Sequence, residues 1–407
     1  MARIFIGLTE IANIAATYAK GFRALGHETY TVVWKKNRFY PDSQYNIVVD
    51  DHICATKAGA ALLKKALSRI KRRGVGLLQF LYTLTTCDVF IFIFGTSFLP
   101  RYWDYPILKL FGKRIVSVFC GSDIRYWYAY EQEFNSLGLG SEFRPFTEDY
   151  NHAYEFFITK IRRVRAAERY ADLILSQPSM AQLQTRPYMR MNIPLDLSQY
   201  RFNVPEREVP LVVHAPSKRC IKGTKYVLAA VEQLKQEGIR FEFRLIENMP
   251  NAQVRELLAE ADIVVDQLLS ETVATLALES MATGNVVLAR YLPERAHIPA
   301  DCPVVNVTAA TLADKLREVI LDRDLRRRLA YAGRSYVEKY HDHVRIAQQI
   351  LDWLKPGGIQ EYDFIPMFFQ SEFVMPAELL KEERKRMWKQ RIQRFTNLFF
   401  PRSLRKD

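Results

Sequence analysis

Short apolar runs alternate with longer stretches of helical period in two consecutive series, and that alternation restricts the chain to a parallel α/β architecture. Residues 4–6 read as a buried strand, 7–9 as a turn, 10–25 as a helix ended by Gly26, and 29–34 as the next strand, a βαβ opening. Strand-like runs recur at 47–49, 89–94, 115–119 and 173–176. Between Phe202 and Pro210 two prolines and several charges interrupt the pattern, and a strand at 211–214 restarts it. Helices at 224–236, 252–259 and 275–282 then alternate with strands at 242–246, 263–266, 286–289 and 304–306. Helix 312–320 and a long helical stretch over 324–354 complete the series, and Pro356, Gly357 and Gly358 break it. At 407 residues the chain exceeds what one core usually serves. The expectation is two doubly wound Rossmann-like domains, residues 1–203 and 204–355, facing a central cleft, with an aromatic and basic extension over 356–407.

A content of 49% hydrophobic and 25% charged residues, without polar tracts or repeats, excludes a disordered chain. The net charge of +13 favours anionic partners: phosphorylated ligands, nucleic acid or an anionic membrane surface. Five widely spaced cysteines with no paired motif argue against a disulfide framework and structural zinc, so a reducing, cytoplasmic setting is expected. The first apolar run is too short for a signal peptide, and no stretch is long and apolar enough for a membrane span. The expected protein is soluble or peripheral.

Glu271 and Glu279, with seven residues between them, follow a strand that closes on Asp266. That order puts Glu271 in the loop at the carboxyl end of the strand and Glu279 more than one turn into the next helix. A helix N-terminus at such a cleft is a natural diphosphate site, and a glutamate further along can accept hydrogen bonds from both ribose hydroxyls. Taken singly, each glutamate is a solvated acid. The context shifts that balance, because a cationic strand-to-helix loop, Ser217-Lys218-Arg219-Cys220-Ile221-Lys222-Gly223, stands at the mouth of the first strand of the same domain. Clustered cations there repel one another unless an anion is shared.

Lys222-Gly223-Thr224, Ala261-Asp262-Ile263 and the run from Glu271 through Gly284 resemble, in this order, the donor-binding domain of GT-B glycosyltransferases, specifically glycosyltransferase family 4, the group 1 transferases. The resemblance implies donor contacts from Ser217, Arg219, Lys222, Gly223, Thr272, Val273, Ala274, Thr275 and Glu279, with Arg219 and Lys222 on the diphosphate and Glu279 on the ribose. Glu271 would lie by the transferred sugar. In the first half, Phe119-Cys120-Gly121-Ser122-Asp123-Ile124-Arg125 resembles the family's His-Gly-Ser-Asp segment, with Cys120 in place of the histidine, so Asp123 and Arg125 join Glu271 as expected catalytic residues. Gly7, Thr9 and Asn13 fall where the family places acceptor contacts.

By that resemblance the chain is a retaining, metal-independent, hexosyltransferase-like enzyme with a UDP- or GDP-linked sugar as donor and no other cofactor. Its acceptor would be a sugar, a lipid-linked molecule or a small molecule. The chain departs from the family at Thr272-Val273-Ala274, where Gly-x-Gly is common, and at Ser217, where an arginine is familiar.

Lys64, Lys65, Arg69 and Arg72 share one side of a helical stretch opposite Leu63, Ala66, Leu67 and Ile70, and Trp388, Phe395, Phe399 and Phe400 mix with many cations near the end. Both segments suit peripheral attachment to the inner face of an anionic membrane, or ordinary packing on the protein itself. No nucleic-acid module is recognised, so nucleic acid is not an expected partner. The competing readings are a non-enzymatic basic nucleotide- or nucleic-acid-binding protein and a GT-B-type sugar-nucleotide epimerase.

Overall fold

The computed structural model describes residues 1–52, 62–136, 138 and 157–366, with single positions at 381, 385 and 388. Seven parallel strands form the first sheet: β1 (Arg3–Leu8), β2 (Glu28–Val33), β3 (Ile47–Val48), β4 (Val89–Ile93), β5 (Arg114–Val118), β6 (Leu173–Ser176) and β7 (Met189–Arg190), in the order β3-β2-β1-β4-β5-β6-β7. Five form the second: β8 (Leu211–His214), β9 (Glu242–Leu245), β10 (Ile263–Val265), β11 (Val286–Ala289) and β12 (Val305–Asn306), in the order β12-β11-β10-β8-β9. Both orders reverse direction beside the first strand of their series, the point at which open α/β sheets leave a crevice for a ligand.

The first sheet is flanked by α1 (Ile14–Ala24), α2 (Leu62–Thr86), α3 (Asp104–Leu110), α4 (Trp127–Ser136) and α5 (Phe157–Tyr170). Alternation along the strands divides its core: Ile4, Ile6, Ile91 and Val116 face α1, while Phe5, Phe90, Phe92 and Ile115 face α2, α3 and α5. The second sheet carries α6 (Arg219–Lys222), α7 (Thr224–Gln236), α8 (Asn251–Glu260), α9 (Thr275–Thr283), α10 (Pro293–Ala296), α11 (Leu312–Leu321) and α12 (Arg323–Tyr340). No helix among the described residues is long and apolar enough to cross a membrane.

Three sequence expectations are corrected. Gly7 is inside β1, opposite Val32 and Phe92, not in a turn; a Cβ there would meet the Val32 carbonyl oxygen at 2.1 Å. The first helix begins at Ile14, because Ala12 and Asn13 have left-handed backbones that no helix can include. The stretch over 324–354 is two helices, α12 and α13 (His343–Trp353), because Asp342 leaves helical geometry and caps the second by accepting from the Arg345 N–H at 2.8 Å.

This break redirects the chain. Ile346, Ala347 and Ile350 of α13 pack with Ile14, Tyr18 and Phe22 of α1, so residues 343–353 complete the first domain's core. The start of the extension stays on that domain: Tyr188 and Phe364 exchange backbone hydrogen bonds at 3.2 Å, and Asp363 accepts from the Arg190 N–H at 2.7 Å. The readings for 53–61, the side chains of Lys64, Lys65 and Arg69, and the tail beyond 366 lie outside the described residues.

Candidate active site

The loops at the carboxyl ends of the two sheets meet over a cavity of about 330 Å³. Pro216 and Ser217 after β8, Lys222 on α6, Ile246, Asn248 and Met249 after β9, and Ala274, Thr275 and Leu276 at the start of α9 line it, with Glu279 one turn deeper. The first domain adds Asn37, Phe39 and Tyr40 from the segment after β2. A second chamber of about 260 Å³, lined by Lys20, Arg23, Arg255 and Asp196 among others, shares Phe39, Tyr40, Asn251 and Glu279 with the first.

The Glu279 carboxylate is buried at this junction and heavily hydrogen-bonded. Its Oε1 accepts from Asn251 Nδ2 at 2.9 Å, Tyr200 Oη at 3.1 Å and Tyr40 Oη at 3.3 Å; among the described residues Oε2 accepts only from Asn251, at 3.1 Å. Burial raises its pKa, and these donors oppose the rise. The α9 N-terminus beside it carries no side-chain cap, and its N-cap is Ala274. Among the described residues no side chain caps the first N–H groups of this helix, whose first turn lines the cavity.

Lys222 is held in the wall of the cavity by Asp266 Oδ1 at 2.6 Å and Gln267 Oε1 at 3.2 Å, which leaves a third ammonium N–H for a ligand. Gly223, whose φ is +71°, ends α6 and starts α7. A Cβ there would lie 3.0 Å from Leu268 Cβ, so the turn that aims Lys222 requires glycine on both counts.

Glu271 is 1% exposed. It bridges the domains, accepting from Arg125 Nη2 at 3.2 Å and from the Tyr130 hydroxyl. Arg125 also lies over the Tyr130 ring, 4.9 Å from its centroid. Asp123 serves the loop itself, accepting from the Gly121 N–H at 2.7 Å and the Cys120 N–H at 3.2 Å. Lys160 and Arg163 of α5 hold the same turn through the carbonyls of Arg125 and Asp123, both at 2.7 Å.

Solved structures share this fold at low identity. A sucrose-phosphate synthase from Thermosynechococcus elongatus aligns over 86% of this chain and 97% of its own, at 13% identity and a TM-score of 0.57. An alpha-glucosyltransferase in complex with UDP-glucose and DNA containing an abasic site aligns over 87% and 98%, at 13% identity and a TM-score of 0.55. Anabaena HepE in complex with UDP-glucose aligns over 87% and 99%, at 14% identity and a TM-score of 0.53. The fold is that of the GT-B glycosyltransferases.

Residues 208–352, which span the second GT-B domain, match the family described as glycosyl transferase-like. No curated protein matches the chain by sequence. Within the GT-B cleft the structure gathers Ser217, Lys222, Ala274, Thr275 and Glu279 around the larger chamber. Thr272 and Val273 line a separate small cavity against Arg190 and Ile193, and Gly223 acts through its turn. Arg219 turns away from the cavity to Glu247, with bonds of 2.8 and 2.6 Å. Two cations of this loop are thus compensated within the protein, Arg219 by Glu247 and Lys222 by Asp266, and these two need no shared anion to coexist.

Of the residues expected to contact the acceptor, Asn13 lines the smaller chamber and accepts from Ser43 Oγ at 2.6 Å, while Thr9 lines neither chamber. Among the described residues no group of three or more His, Cys, Asp or Glu side chains is arranged to hold a metal ion. Sequence reasoning missed Tyr40, Tyr130, Tyr200 and Asn251. Each contributes through a contact 28 to 239 positions away in sequence, with no local motif to mark it.

Proposed function

We propose that the chain is a glycosyltransferase that moves a sugar from a UDP- or GDP-linked donor onto a sugar, lipid-linked or small-molecule acceptor. The observation that carries this reading is the convergence of the uncapped α9 N-terminus, Lys222 and the Glu279 carboxylate on one cavity. Each meets a different part of a nucleoside diphosphate. The helix end and the ammonium suit the diphosphate, whose negative charge grows as the bond from the sugar breaks. Glu279 Oε2, with one protein donor, suits a ribose hydroxyl. The largely apolar wall of Pro216, Ile246 and Met249 suits a base.

Glu271, Arg125 and Tyr130 stand where the two domains meet and act on the transferred sugar in this reading. The resemblance of the Glu271–Glu279 run to family 4 supports retention of configuration without a bound metal. HepE and the alpha-glucosyltransferase were solved with UDP-glucose, which favours a uridine donor. The test is a thermal-shift screen of UDP, GDP and their sugars. A site ligand at a hundred times its Kd adds about 2.7 kcal/mol of apparent stability. The reading requires a shift with at least one of them, and none with any would refute it.

A further inference from the structure

The large apolar side chains that the fold leaves in solvent are concentrated on one face of the first domain. Helix α2 buries Gly76, Phe80, Thr83 and Leu84 against the sheet and turns Ile70, Leu77, Leu78 and Leu81 outward. Those four positions recur at helical spacing, so they form one stripe along the helix. They are 45% to 65% exposed. Trp103, Leu110 and Phe111, also exposed, flank α3, which packs on the same core cluster as α2. In the second domain the exposed large apolar residues, Leu228, Leu321 and Tyr331, are scattered over three helices.

Charge identifies what such a face meets. Residues 62–86 contain six Lys and Arg and no Asp or Glu. Lys71 and Arg73 are exposed beside the apolar stripe, and neither they nor the exposed Arg101 forms an ion pair among the described residues. Arg72, by contrast, pairs with Asp50 at 3.4 Å and lies over the Trp34 ring. An outward apolar stripe edged by unpaired cations suits an interface that is apolar inside and anionic at its surface. A second copy of the chain would bring like charge to like, and so would the basic segment 381–405 of the same chain.

We infer that the α2 face of the first domain docks on an anionic lipid bilayer, with Ile70, Leu77, Leu78 and Leu81 entering the interface and Lys71 and Arg73 meeting the headgroups. This inference stands apart from the donor-site reading: it concerns the opposite side of the first sheet from α1 and uses none of the cleft residues.

The test is co-sedimentation of the full-length protein with vesicles of phosphatidylcholine alone or mixed with phosphatidylglycerol, at low and high salt. The expected result is binding to the mixed vesicles at low salt, weakening as salt rises, and little binding to phosphatidylcholine alone. Leu78→Glu/Leu81→Glu and Lys71→Glu/Arg73→Glu change only exposed positions and should keep the wild-type melting temperature, yet each should bind about tenfold more weakly or worse. The inference is overturned if the wild type stays in the supernatant with mixed vesicles at low salt. Equal binding to both lipid compositions overturns it as well. So does wild-type sedimentation of the Leu78/Leu81 variant, which would move attachment to another surface such as the tail. Self-association abolished by that variant would make the occupant a second copy instead.

Discussion

The hydroxyl of Tyr40, in the first domain, donates to Glu279 Oε1, in the second, at 3.3 Å. Beside it the Phe39 carbonyl accepts from the Asn251 N–H at the start of α8, at 2.8 Å. The tip of the segment after β2 is thereby seated between the two chambers, on the carboxylate assigned to the ribose. Glu279 Oε1 already has three donors, so a nucleotide using both carboxylate oxygens must displace one, and Tyr40 has the longest bond. Tyr40→Phe is expected to tighten nucleoside diphosphate binding by up to about tenfold, as the loss of one competing hydrogen bond of 0.5–1.5 kcal/mol allows. Calorimetry decides it, and weaker binding would mean that Tyr40 holds the nucleotide rather than competing with it.

The cationic loop should separate into two roles. Lys222→Ala is expected to cost about 1.5–3 kcal/mol of nucleoside diphosphate affinity, because a charge-assisted bond to phosphate is lost. Arg219→Ala should change that affinity little, since its guanidinium is exposed and engaged by Glu247. Equal losses in the two variants would mean that Arg219 leaves Glu247 for the ligand.

At the domain junction, Glu271→Gln should lower kcat with little change in nucleotide Kd. Arg125→Ala should also destabilise the fold, by about 3–5 kcal/mol, because it strands a buried carboxylate. Urea titrations alongside steady-state kinetics distinguish the two. A Glu271→Gln enzyme with full turnover would remove this carboxylate from the chemistry.

Two buried groups should tilt stability with pH in opposite senses. Burial pushes the Glu10 carboxyl up to about 7 from 4.5, although it accepts hydrogen bonds from Tyr45 and Ala16. A raised carboxyl favours the folded state fully below its unfolded pKa, and that contribution is lost as pH rises from about 4.5 through 7, on the order of 3 kcal/mol in all. Buried His341, lowered to about 4, acts in the opposite sense: its contribution is present above 6.5 and lost as pH falls through 4. The melting temperature of Glu10→Gln should therefore gain on that of wild type as pH rises from 4.5 to 7. Parallel profiles would exclude Glu10 as the titrating group.

The second domain was the more legible half because its strands are short, β8, β10 and β11 are buried on both faces, and clear helix periods separate them. The strands at Leu211–His214 and Val286–Ala289 and the helix Thr224–Gln236 coincide with their expected limits. The Glu271 loop and the Glu279 helix position could also be read, since a strand end and a helix start fix them. Periodicity could not reveal that Gly7 is in a strand, since close approach to Val32 is a tertiary fact. Nor could it separate α12 from α13: both are amphipathic, and only the core each one meets differs. The partners of the two glutamates escaped for a related reason, since Tyr40, Tyr130, Tyr200 and Asn251 reach them only after the domains have come together or the sheet has formed.

The central claim is that the cleft holds a nucleoside diphosphate with its ribose on Glu279, and calorimetric titration of wild type and Glu279→Gln with UDP, GDP and inorganic diphosphate tests it most directly. The account predicts that UDP or GDP binds the wild type and binds Glu279→Gln about tenfold or more weakly, the loss of a hydrogen bond to a charged group, while inorganic diphosphate binds both alike. Absence of binding by either nucleotide, or an equal loss for nucleotide and inorganic diphosphate, would contradict it.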